Sequence, residues 1–293
     1  MKVLVSIPAY NEEKSIGEVI NDIKRELQGK YDFKIQVIDD GSTDKTAEVA
    51  RKAGAYVFSH QINMGLAETF KTEIQQALKK KFDVMVITDA DGQYLARDIP
   101  RLLKEIEKGY DLVLGSRFMG TIEEMPFLKK LGNRLFTKVI SKITNFKLTD
   151  CQTGFRAFTR EVAEKIQITS TYTYTQEQII RAIKAKFKIK EIPIYFAKRH
   201  GKSRLMRNPF EFAFKAGINL LRVYRDYEPL KFFGFWGGFF FLIGFFIGIW
   251  LIYLFLTTGK VGRIPSTIAC MLFITIGLQI WLFGFMADMN KKD

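Results

Sequence analysis

The chain has 293 residues, a length that suits one large domain or one domain with additions. Charged residues make up 26% of the sequence and hydrophobic residues 47%, which excludes a wholly disordered chain. Two cysteines and two histidines are too few for a disulfide scaffold or for a zinc site built from such ligands. The net charge of +14 favours an anionic partner: nucleic acid, a membrane surface or an anionic substrate.

Short apolar runs alternate with helical patterns between residues 3 and 114. The runs predict strands at 3–7, 35–38, 56–58, 84–88 and 112–114, and the patterns between them predict helices at 15–27, 43–52, 66–80 and 99–108. This alternation predicts a mostly parallel, three-layered α/β sheet. Ligands of such sheets bind beyond the carboxyl ends of the strands, so the residues that follow each strand are the candidate site.

Polar runs follow four of the five predicted strands. They are PAYNE at 8–12, DDGSTD at 39–44, DADGQ at 89–93 and GSR at 115–117. Asp89 and Asp91 flank one alanine, and two carboxylates so close repel unless a cation lies between them. Oxygen ligands suit Mg²⁺ or Mn²⁺. Asp44 or Ser42 has a simpler alternative role, as the cap of the next helix.

Two long uncharged runs close the sequence. Residues 232–256 form 25 positions without a charged side chain, and residues 264–287 form 24 more. At about 1.5 Å per residue, each run crosses a hydrocarbon core of about 30 Å as a helix. The link at 257–263 is short, so the sequence predicts a transmembrane hairpin, followed by a tail at 288–293.

Positive charge on the flanks of the hairpin predicts its orientation. Six cations flank the two spans and two lie in the link: Lys215, Arg222, Arg225, Lys231, Lys291 and Lys292 against Lys260 and Arg263. The positive-inside rule puts residues 1–231 and the C-terminus in the cytoplasm, and the protein in the cell membrane. Residues 232–293 carry a net charge of only +2, so +12 belongs to residues 1–231.

Two further patterns concern the membrane. In the segment 208–231, apolar residues such as Phe210, Phe214 and Ile218 recur at helical spacing, which predicts a helix in the membrane interface or one packed on the soluble domain. Within the first span, glycines four residues apart stand at 234/238 and 244/248. Such spacing permits close helix packing inside one chain or between chains, which leaves a homo-oligomer through the spans open.

The order of the strand-end motifs resembles that of the GT-A glycosyltransferases of family 2. Further runs are similar to the dolichyl-phosphate mannose synthase group, which includes related polyprenyl-phosphate glycosyltransferases: Gly115-Ser-Arg117, Gly132-Asn-Arg134-Leu135, Asp150-x-Gln152-Thr-Gly-Phe-Arg156 and Arg199-x-Gly201-x-Ser203-Arg204-Leu205. The resemblance covers about residues 1–231. It implies a GT-A (nucleotide-diphospho-sugar transferase) catalytic domain at 1–207, followed by the interfacial segment and the two-helix hairpin.

The resemblance implies a role for each matching position. A nucleotide-sugar pocket would be lined by Pro8, Tyr10, Glu12, Val37, Asp39, Asp40 and Ala90. Asp89 and Asp91 would be catalytic and, with Gln93, would hold Mg²⁺ or Mn²⁺ and the sugar diphosphate. Phosphates of the donor or the acceptor would face four cations: Arg117, Arg134, Arg199 and Arg204.

The implied reaction is inverting transfer of a hexose from GDP-mannose or a UDP-hexose to dolichyl or polyprenyl phosphate. A lipid monophosphate has a second pKa near ~6, so it is anionic at neutral pH and needs no general base. Asp150 is then either a base or orienting group, or a structural acid bound to Arg156 or to a backbone turn. One departure from the group is that Leu66 and Ala67 follow Asn63-Met-Gly65, where many relatives carry a basic residue and glycine.

Two other functions remain open in the sequence. A processive or other family 2 polysaccharide or glycolipid synthase shares PAYNE and D-x-D, but the Q-x-x-R-W run typical of processive synthases is missing from this sequence. A basic membrane scaffold without enzymatic activity also suits the net charge. No nucleic-acid-binding motif is visible, so nucleic acid is not an expected partner.

Overall fold

The computed structural model describes residues 1–170, 173–198, 218, 221–222, 224–260 and 264–289. The chain divides into two compact units, Met1–Pro209 and Phe210–Asp293. The first unit contains an α/β sheet, and the second contains two long apolar helices.

Seven strands form one mixed sheet in the first unit. They are β1 (Lys2–Ala9), β2 (Asp32–Asp39), β3 (Tyr56–Ser59), β4 (Val84–Ile87), β5 (Leu112–Ile122), β6 (Arg156–Thr159) and β7 (Ile189–Phe196), in the order β3-β2-β1-β4-β6-β5-β7. β6 runs antiparallel to both of its neighbours, and the other pairs are parallel. The predicted mostly parallel sheet is therefore confirmed, with one reversed strand that the sequence analysis did not predict.

Helices cover both faces of this sheet. They are α1 (Ile16–Leu27), α2 (Thr46–Lys52), α3 (Leu66–Leu78), α4 (Ile99–Glu107), which follows a short 3₁₀ turn, α5 (Phe127–Thr144), α6 (Arg160–Lys165) and α7 (Thr175–Lys184). On one face, α1 and α4 pack on alternate strand residues such as Val5 and Val86. On the other face, Phe70 of α3 contacts Phe158 of β6 and stacks on Tyr174 beside α7. The three predicted layers are therefore present.

The register of the parallel strands brings the candidate loops to one edge. β1 and β2 pair without offset from Lys2 with Asp32 to Ala9 with Asp39, and Ser6 of β1 pairs with Ile87 of β4. The loops after β1, β2 and β4 therefore leave the sheet side by side. α2 begins at Thr46, three residues later than predicted, because the residues before it bond to the neighbouring loop.

The second unit contains α8 (Pro229–Thr258) and α9 (Ile264–Met289). An 18-residue stretch of each has a mean hydropathy of 2.6 and 2.1, respectively, and by length and composition both helices are able to cross a membrane. They extend the predicted spans 232–256 and 264–287 by two or three residues at most ends. Most of their large apolar side chains are exposed within the chain and the others are half-buried, which is the surface expected of helices that face lipid.

A seam of glycines joins the two apolar helices. A Cβ built on Gly237 would lie 2.9 Å from the carbonyl oxygen of Gly277, and one on Gly284 would lie 2.8 Å from Cβ of Phe233. The start of α8 thus meets the end of α9, as an antiparallel hairpin requires. The closest contacts are made by two pairs of glycines seven residues apart, Gly237 with Gly244 on α8 and Gly277 with Gly284 on α9. Of the glycines noted in the sequence, Gly244 belongs to this seam, whereas a Cβ on Gly248 would meet only Sγ of Cys270 at 3.3 Å and one on Gly234 would meet no atom within 4 Å.

Parts of the predicted membrane segments lie outside the described residues. They include most of the interfacial segment 208–231, the end of the link 257–263 and the last four residues of the tail.

Candidate functional site

The loops after β1 and β2 are joined by side-chain hydrogen bonds to backbone groups. The backbone N of Asn11 donates to Oγ of Ser42 at 2.8 Å, and Oδ1 of Asn11 accepts from the backbone N of Thr43 at 2.7 Å. The backbone N of Glu12 donates to Oγ1 of Thr46 at 2.7 Å. Ser42 therefore links two loops rather than capping α2, while Asp44 accepts from the backbone N of Thr46 at the start of that helix.

Asp40 connects the end of β2 to the loop after β3. Its carboxylate accepts from the backbone N groups of Met64 and Gly65, each at 2.9 Å, and lies 2.8 Å from Nδ1 of His60. Nε2 of His60 in turn lies 2.9 Å from Oγ1 of Thr72 on α3. Asp40 is buried, so it acts by holding the loop that borders the strand ends.

The other residues predicted for the nucleotide pocket occupy different depths. Pro8 and Glu12 are half-buried and Tyr10 is 39% exposed at the end of β1. Asp39 is buried, and its Oδ1 accepts from the backbone N of Ser42 at 3.1 Å. Val37 differs from its prediction, because its side chain has no exposed surface and belongs to the core beneath β1 and β3.

Ala90 is also buried in that core, between Asp89 and Asp91. Both carboxylates are half-buried directly beyond the end of β4. Oδ1 of Asp91 accepts from the backbone N of Gln93 at 3.1 Å. Nε2 of Gln93 donates to the carbonyl oxygen of Ala197 at 3.0 Å, which joins this loop to the end of β7.

Gly154 and Tyr94 form the wall beside Asp89. A Cβ built on Gly154 would lie 3.0 Å from Oδ1 of Asp89, so a larger residue would push against this carboxylate. The backbone N of Gly154 donates to the hydroxyl oxygen of Tyr94 at 3.2 Å. Burial raises the pKa of Tyr94 to about 12, so its hydroxyl stays protonated at neutral pH.

Arg117 and Asp150 form a buried ion pair. Nε and Nη2 of Arg117 donate to the two oxygens of Asp150 at 2.7 and 2.9 Å, and the guanidinium lies 5.4 Å from the centroid of the Phe196 ring. Glu191 of β7 accepts from the backbone N groups of Thr149 and Asp150. The arrangement matches the structural alternative for Asp150, with Arg117 rather than Arg156 as the partner.

Arg156 is engaged elsewhere in the interior. Its Nη1 donates to the carbonyl oxygen of Thr175 at 3.1 Å and to Oε1 of Gln178 at 2.9 Å, and its guanidinium lies 5.1 Å from the centroid of the Tyr174 ring. Nε of Arg156 has no hydrogen-bond partner in the described structure. Burial lowers the pKa of Arg156, because the interior disfavours its charged form.

Glu73 lies in the core beneath the acidic loop. Oγ of Ser6 donates to Oε1 of Glu73 at 2.7 Å, whereas Oε2 is buried without a partner in the described structure. Burial, together with a smaller effect of the negative charge of Asp89, raises the pKa of Glu73 to about 8. Glu73 is therefore mostly protonated at neutral pH, as a carboxyl group without a cationic partner must be when it is buried.

Arg134 has the exposure expected of a ligand-binding cation. It lies on the outer face of α5, with its guanidinium 5.4 Å from the centroid of the Phe118 ring. Exposed apolar residues of α5 surround this position: Phe127, Leu128, Leu131 and Leu135. Arg199 and Arg204, the other two predicted phosphate-facing cations, lie outside the described residues.

The acidic loop fits a divalent cation in the chemistry of its donors. Asp89 and Asp91 supply carboxylate oxygens, and Oε1 of Gln93 is a neutral oxygen on the same loop. Burial is the main cause of the raised pKa values of Glu73 and Tyr94, and the negative charge of Asp89 contributes to both. Among the described residues, no group of three or more His, Cys, Asp or Glu side chains is placed to hold a metal ion.

Four residues of this region escaped the sequence analysis: His60, Glu73, Tyr94 and Glu191. Of these, only Glu73 could have been identified from the sequence, because its spacing places it on the buried face of α3 with Phe70 and Ala77. The positions of Tyr94 and Glu191 depend on contacts with residues 60 and 41 positions away along the chain.

The site resembles known proteins in sequence and in fold. The sequence profile of glycosyl transferase family 2 matches residues 4–167. The chain belongs to glycosyltransferase family 2. It is 38% identical over 199 residues to an uncharacterised protein of Methanocaldococcus jannaschii. The aligned region covers 66% of this chain and 80% of that protein. It is 33% identical to a dolichyl-phosphate hexose transferase of Haloferax volcanii, over 75% of this chain and 92% of that one.

Solved structures support the fold of this family 2 member. The crystal structure of glucosyl-3-phosphoglycerate synthase from Mycobacterium tuberculosis, with Mn²⁺, UDP and glucosyl-3-phosphoglycerate, superposes with a TM-score of 0.59 at 20% identity. The match covers 76% of this chain and 78% of that one. The predicted GT-A fold, the resemblance to dolichyl- and polyprenyl-phosphate glycosyltransferases and the prediction of an enzyme are confirmed.

A first prediction tests the structural role of Asp150. In Asp150→Asn, Arg117 stays buried without its counter-charge, and we expect unfolding to become easier by about 3–5 kcal/mol. Chemical unfolding followed by circular dichroism measures this change. The double variant Asp150→Leu with Arg117→Met removes both charges and should recover most of the loss. Lost glycosyl transfer in Asp150→Asn at unchanged stability would instead make Asp150 a catalytic group.

A second prediction concerns Glu73 and pH. The folded-state pKa of about 8 lies above the ordinary value of 4.5, so between these values the folded chain holds a proton that the unfolded chain has lost. Raising the pH from 5 to 8 should therefore destabilise the native chain by on the order of 1.4 kcal/mol per unit of pKa shift, and Glu73→Gln should abolish this contribution.

Melting temperatures between pH 5 and pH 9 check this prediction. The melting temperature of Glu73→Gln minus that of the native chain should increase up to about pH 8 and then level off. Glu68→Gln, on the same helix but paired with Lys71 at the surface, is the matched control. Parallel curves for the native chain and Glu73→Gln would show that Glu73 is not protonated in the fold.

Proposed function

We propose that the chain is a membrane-bound, inverting glycosyltransferase that moves one hexose from a nucleotide-diphosphate sugar to dolichyl or polyprenyl phosphate. The observation that carries this proposal is the pair of carboxylates at the end of β4, Asp89 and Asp91, in a chain whose α8 and α9 are long enough to cross a membrane. The name of the Haloferax volcanii relative, a dolichyl-phosphate hexose transferase, supports it.

The donor side is supported by the loops around the acidic pair. Pro8, Tyr10 and Asp39 lie at the ends of β1 and β2, beside the end of β4, where a nucleoside would bind. Mg²⁺ or Mn²⁺ held by Asp89 and Asp91 would neutralise the diphosphate of the donor and of the leaving nucleotide. The distant structural relative was crystallised with Mn²⁺ and UDP, which supports a divalent cation and a nucleoside diphosphate as ligands.

The acceptor side is supported by Arg134. Its guanidinium is exposed among apolar side chains of α5, an environment that suits a phosphate attached to a long hydrocarbon chain. Arginine grips phosphate through two parallel N–H donors. Arg117 is a weaker candidate, because Asp150 already binds two of its nitrogens.

The chemistry requires positioning and charge neutralisation more than proton transfer. An oxygen of the lipid phosphate forms a bond to the anomeric carbon, while the bond from that carbon to the diphosphate breaks and the nucleoside diphosphate leaves with the electron pair. Attack from the opposite face inverts the anomeric configuration. The anionic acceptor needs no general base, which agrees with the occupied carboxylate of Asp150.

A transfer assay tests the proposal. The full chain in detergent receives dolichyl phosphate, Mg²⁺ or Mn²⁺, and either GDP-mannose, UDP-glucose or UDP-N-acetylglucosamine, and mass spectrometry identifies the product. We expect one hexosyl lipid phosphate, and a loss of at least about 100-fold in Asp91→Asn because a ligand of the diphosphate-bound metal is removed. Asp22→Asn, an exposed carboxylate of α1, is the control.

The same assay separates the alternatives. Lipid products with several sugars would favour a polysaccharide or glycolipid synthase, and no turnover of any donor would favour a scaffold. For the acceptor, Arg134→Gln should raise the KM for dolichyl phosphate at saturating donor, whereas Lys138→Gln should not. Lys138 is exposed one turn later on α5 and serves as the control. Equal effects of both variants would mean that Arg134 only adds to the general attraction between the protein and an anionic surface.

The orientation of the hairpin is part of the proposal. The flanks of α8 and α9 are more basic than the link between them, which supports a cytoplasmic catalytic unit and C-terminus. Tags at both chain ends should be cleaved by protease in inverted membrane vesicles and protected in intact cells. Cleavage of either tag from outside intact cells would overturn this orientation.

A further inference from the structure

A second concave site lies at the opposite edge of the sheet from the acidic loops. It is a cavity of about 410 Å³ at the starts of β1 and β2 and just before β4, and we call it the basic cavity. Seven residue steps of β1 at about 3.3 Å each separate it from the catalytic edge by roughly 23 Å. Five of its lining residues are lysines: Lys2, Lys34, Lys79, Lys80 and Lys81.

The charge of the basic cavity is poorly compensated. Asp32 is the acidic residue that lines it, which leaves an excess of four positive charges. The nearby Asp83 accepts from the backbone N of Lys2 at 2.6 Å. Within the part of the chain that the structure describes, none of the five lysine side chains forms an ion pair with a carboxylate.

Two of the lysines lie against the same aromatic ring. Nζ of Lys34 and Nζ of Lys80 lie 6.0 and 5.3 Å from the centroid of the same ring, that of Tyr56 on β3. Nζ of Lys80 also donates to Oε1 of the buried Gln36 at 2.8 Å. Burial and the charge of Lys34 both lower the pKa of Lys80, as expected when two ammonium groups crowd together.

Helix capping does not account for this group of cations. Lys79, Lys80 and Lys81 follow the C-terminus of α3, where positive charge is favourable. Lys2 and Lys34, however, come from β1 and β2, and Nζ of Lys80 bonds to Gln36 rather than to a carbonyl group at the helix end. The half-buried Phe33 and the buried Phe82 add apolar surface to the cavity wall.

We propose that the basic cavity binds an anion that bears phosphate groups with two or more negative charges. Its volume falls in the range of small-molecule sites, and phosphate oxygens accept hydrogen bonds from ammonium groups such as those of the five lining lysines. Bound anion would offset the repulsion between Lys34 and Lys80. Two sources share this chemistry, a soluble polyphosphate compound and a phospholipid headgroup, and the test distinguishes them.

Calorimetric titration of the full chain with tripolyphosphate tests the soluble source. The chain is held in nanodiscs of zwitterionic phosphatidylcholine, and EDTA removes the divalent cations that would bring phosphate to Asp89 and Asp91. We expect saturable binding that weakens at least tenfold in Lys34→Gln with Lys80→Gln. The control removes two exposed lysines elsewhere, Lys52→Gln with Lys104→Gln, and should bind like the native chain.

A second variant protects the test against misfolding. Lys2→Gln with Lys81→Gln leaves the Gln36 contact intact and should also weaken binding, while Lys34→Arg with Lys80→Arg should retain it. Melting temperatures and the transfer assay confirm that each variant is folded. Binding that is unchanged in both glutamine variants would assign tripolyphosphate to another site and overturn the proposal for the soluble source.

A separate experiment tests the phospholipid headgroup as the ligand. Acetylation of lysines, read by mass spectrometry, is compared in nanodiscs of phosphatidylcholine and of anionic phosphatidylglycerol. Protection of Lys34 and Lys80 in the anionic discs alone, with Lys52 and Lys104 equally reactive in both, would identify a lipid headgroup as the ligand. Absence of both lysine-dependent tripolyphosphate binding and lipid protection would overturn the proposal.

Discussion

The parallel register of β1, β2 and β4 is the constraint on which the rest of this structure depends. It brings three loops to one edge of the sheet, where their backbone groups have no strand partners and must bond to side chains. Asn11, Asp40 and Asp44 meet that need by accepting from the backbone N groups of Thr43, Met64 and Glu13, which lie on neighbouring loops. Motif residues of this kind therefore build a rigid frame, and the half-buried Asp89 and Asp91 are positioned within it.

Electrostatics beneath that frame follow from burial. A charge in the interior is tolerated when it has a close partner, as Arg117 has in Asp150, and otherwise a carboxyl group keeps its proton, as Glu73 does. A neutral Glu73 adds no negative charge below Asp89. A cation at the acidic loop would therefore meet only the charge of the loop itself. The Arg117–Asp150 pair joins the residues that follow β5 to the segment held by Glu191 of β7, without adding net charge.

The sequence predicts those parts of the molecule that depend on local patterns. Strand periodicity, strand-end motifs and uncharged runs suffice for β1 to β5, for Asp89 and Asp91, and for the two apolar helices. It does not predict the reversed β6 or the partner of Asp150, because both depend on contacts between distant segments. Val37 shows the same limit: a position near a motif need not face the pocket, since alternate residues of a central strand point to opposite faces of the sheet.

The excess positive charge of residues 1–231 is distributed unevenly around the sheet. Acidic side chains gather at the carboxyl edge, where they would be neutralised by a metal ion, and lysines gather at the amino edge around the basic cavity. Arg134 belongs to neither group, because it is exposed on α5 among apolar residues. In the proposed reaction an anionic lipid is joined to an anionic donor, so the charges of both would have to be compensated near the acidic loops, by a metal ion and by Arg134. The basic cavity, at the opposite edge of the sheet, would attract a separate anion, so that positive charge is placed apart from the reacting groups.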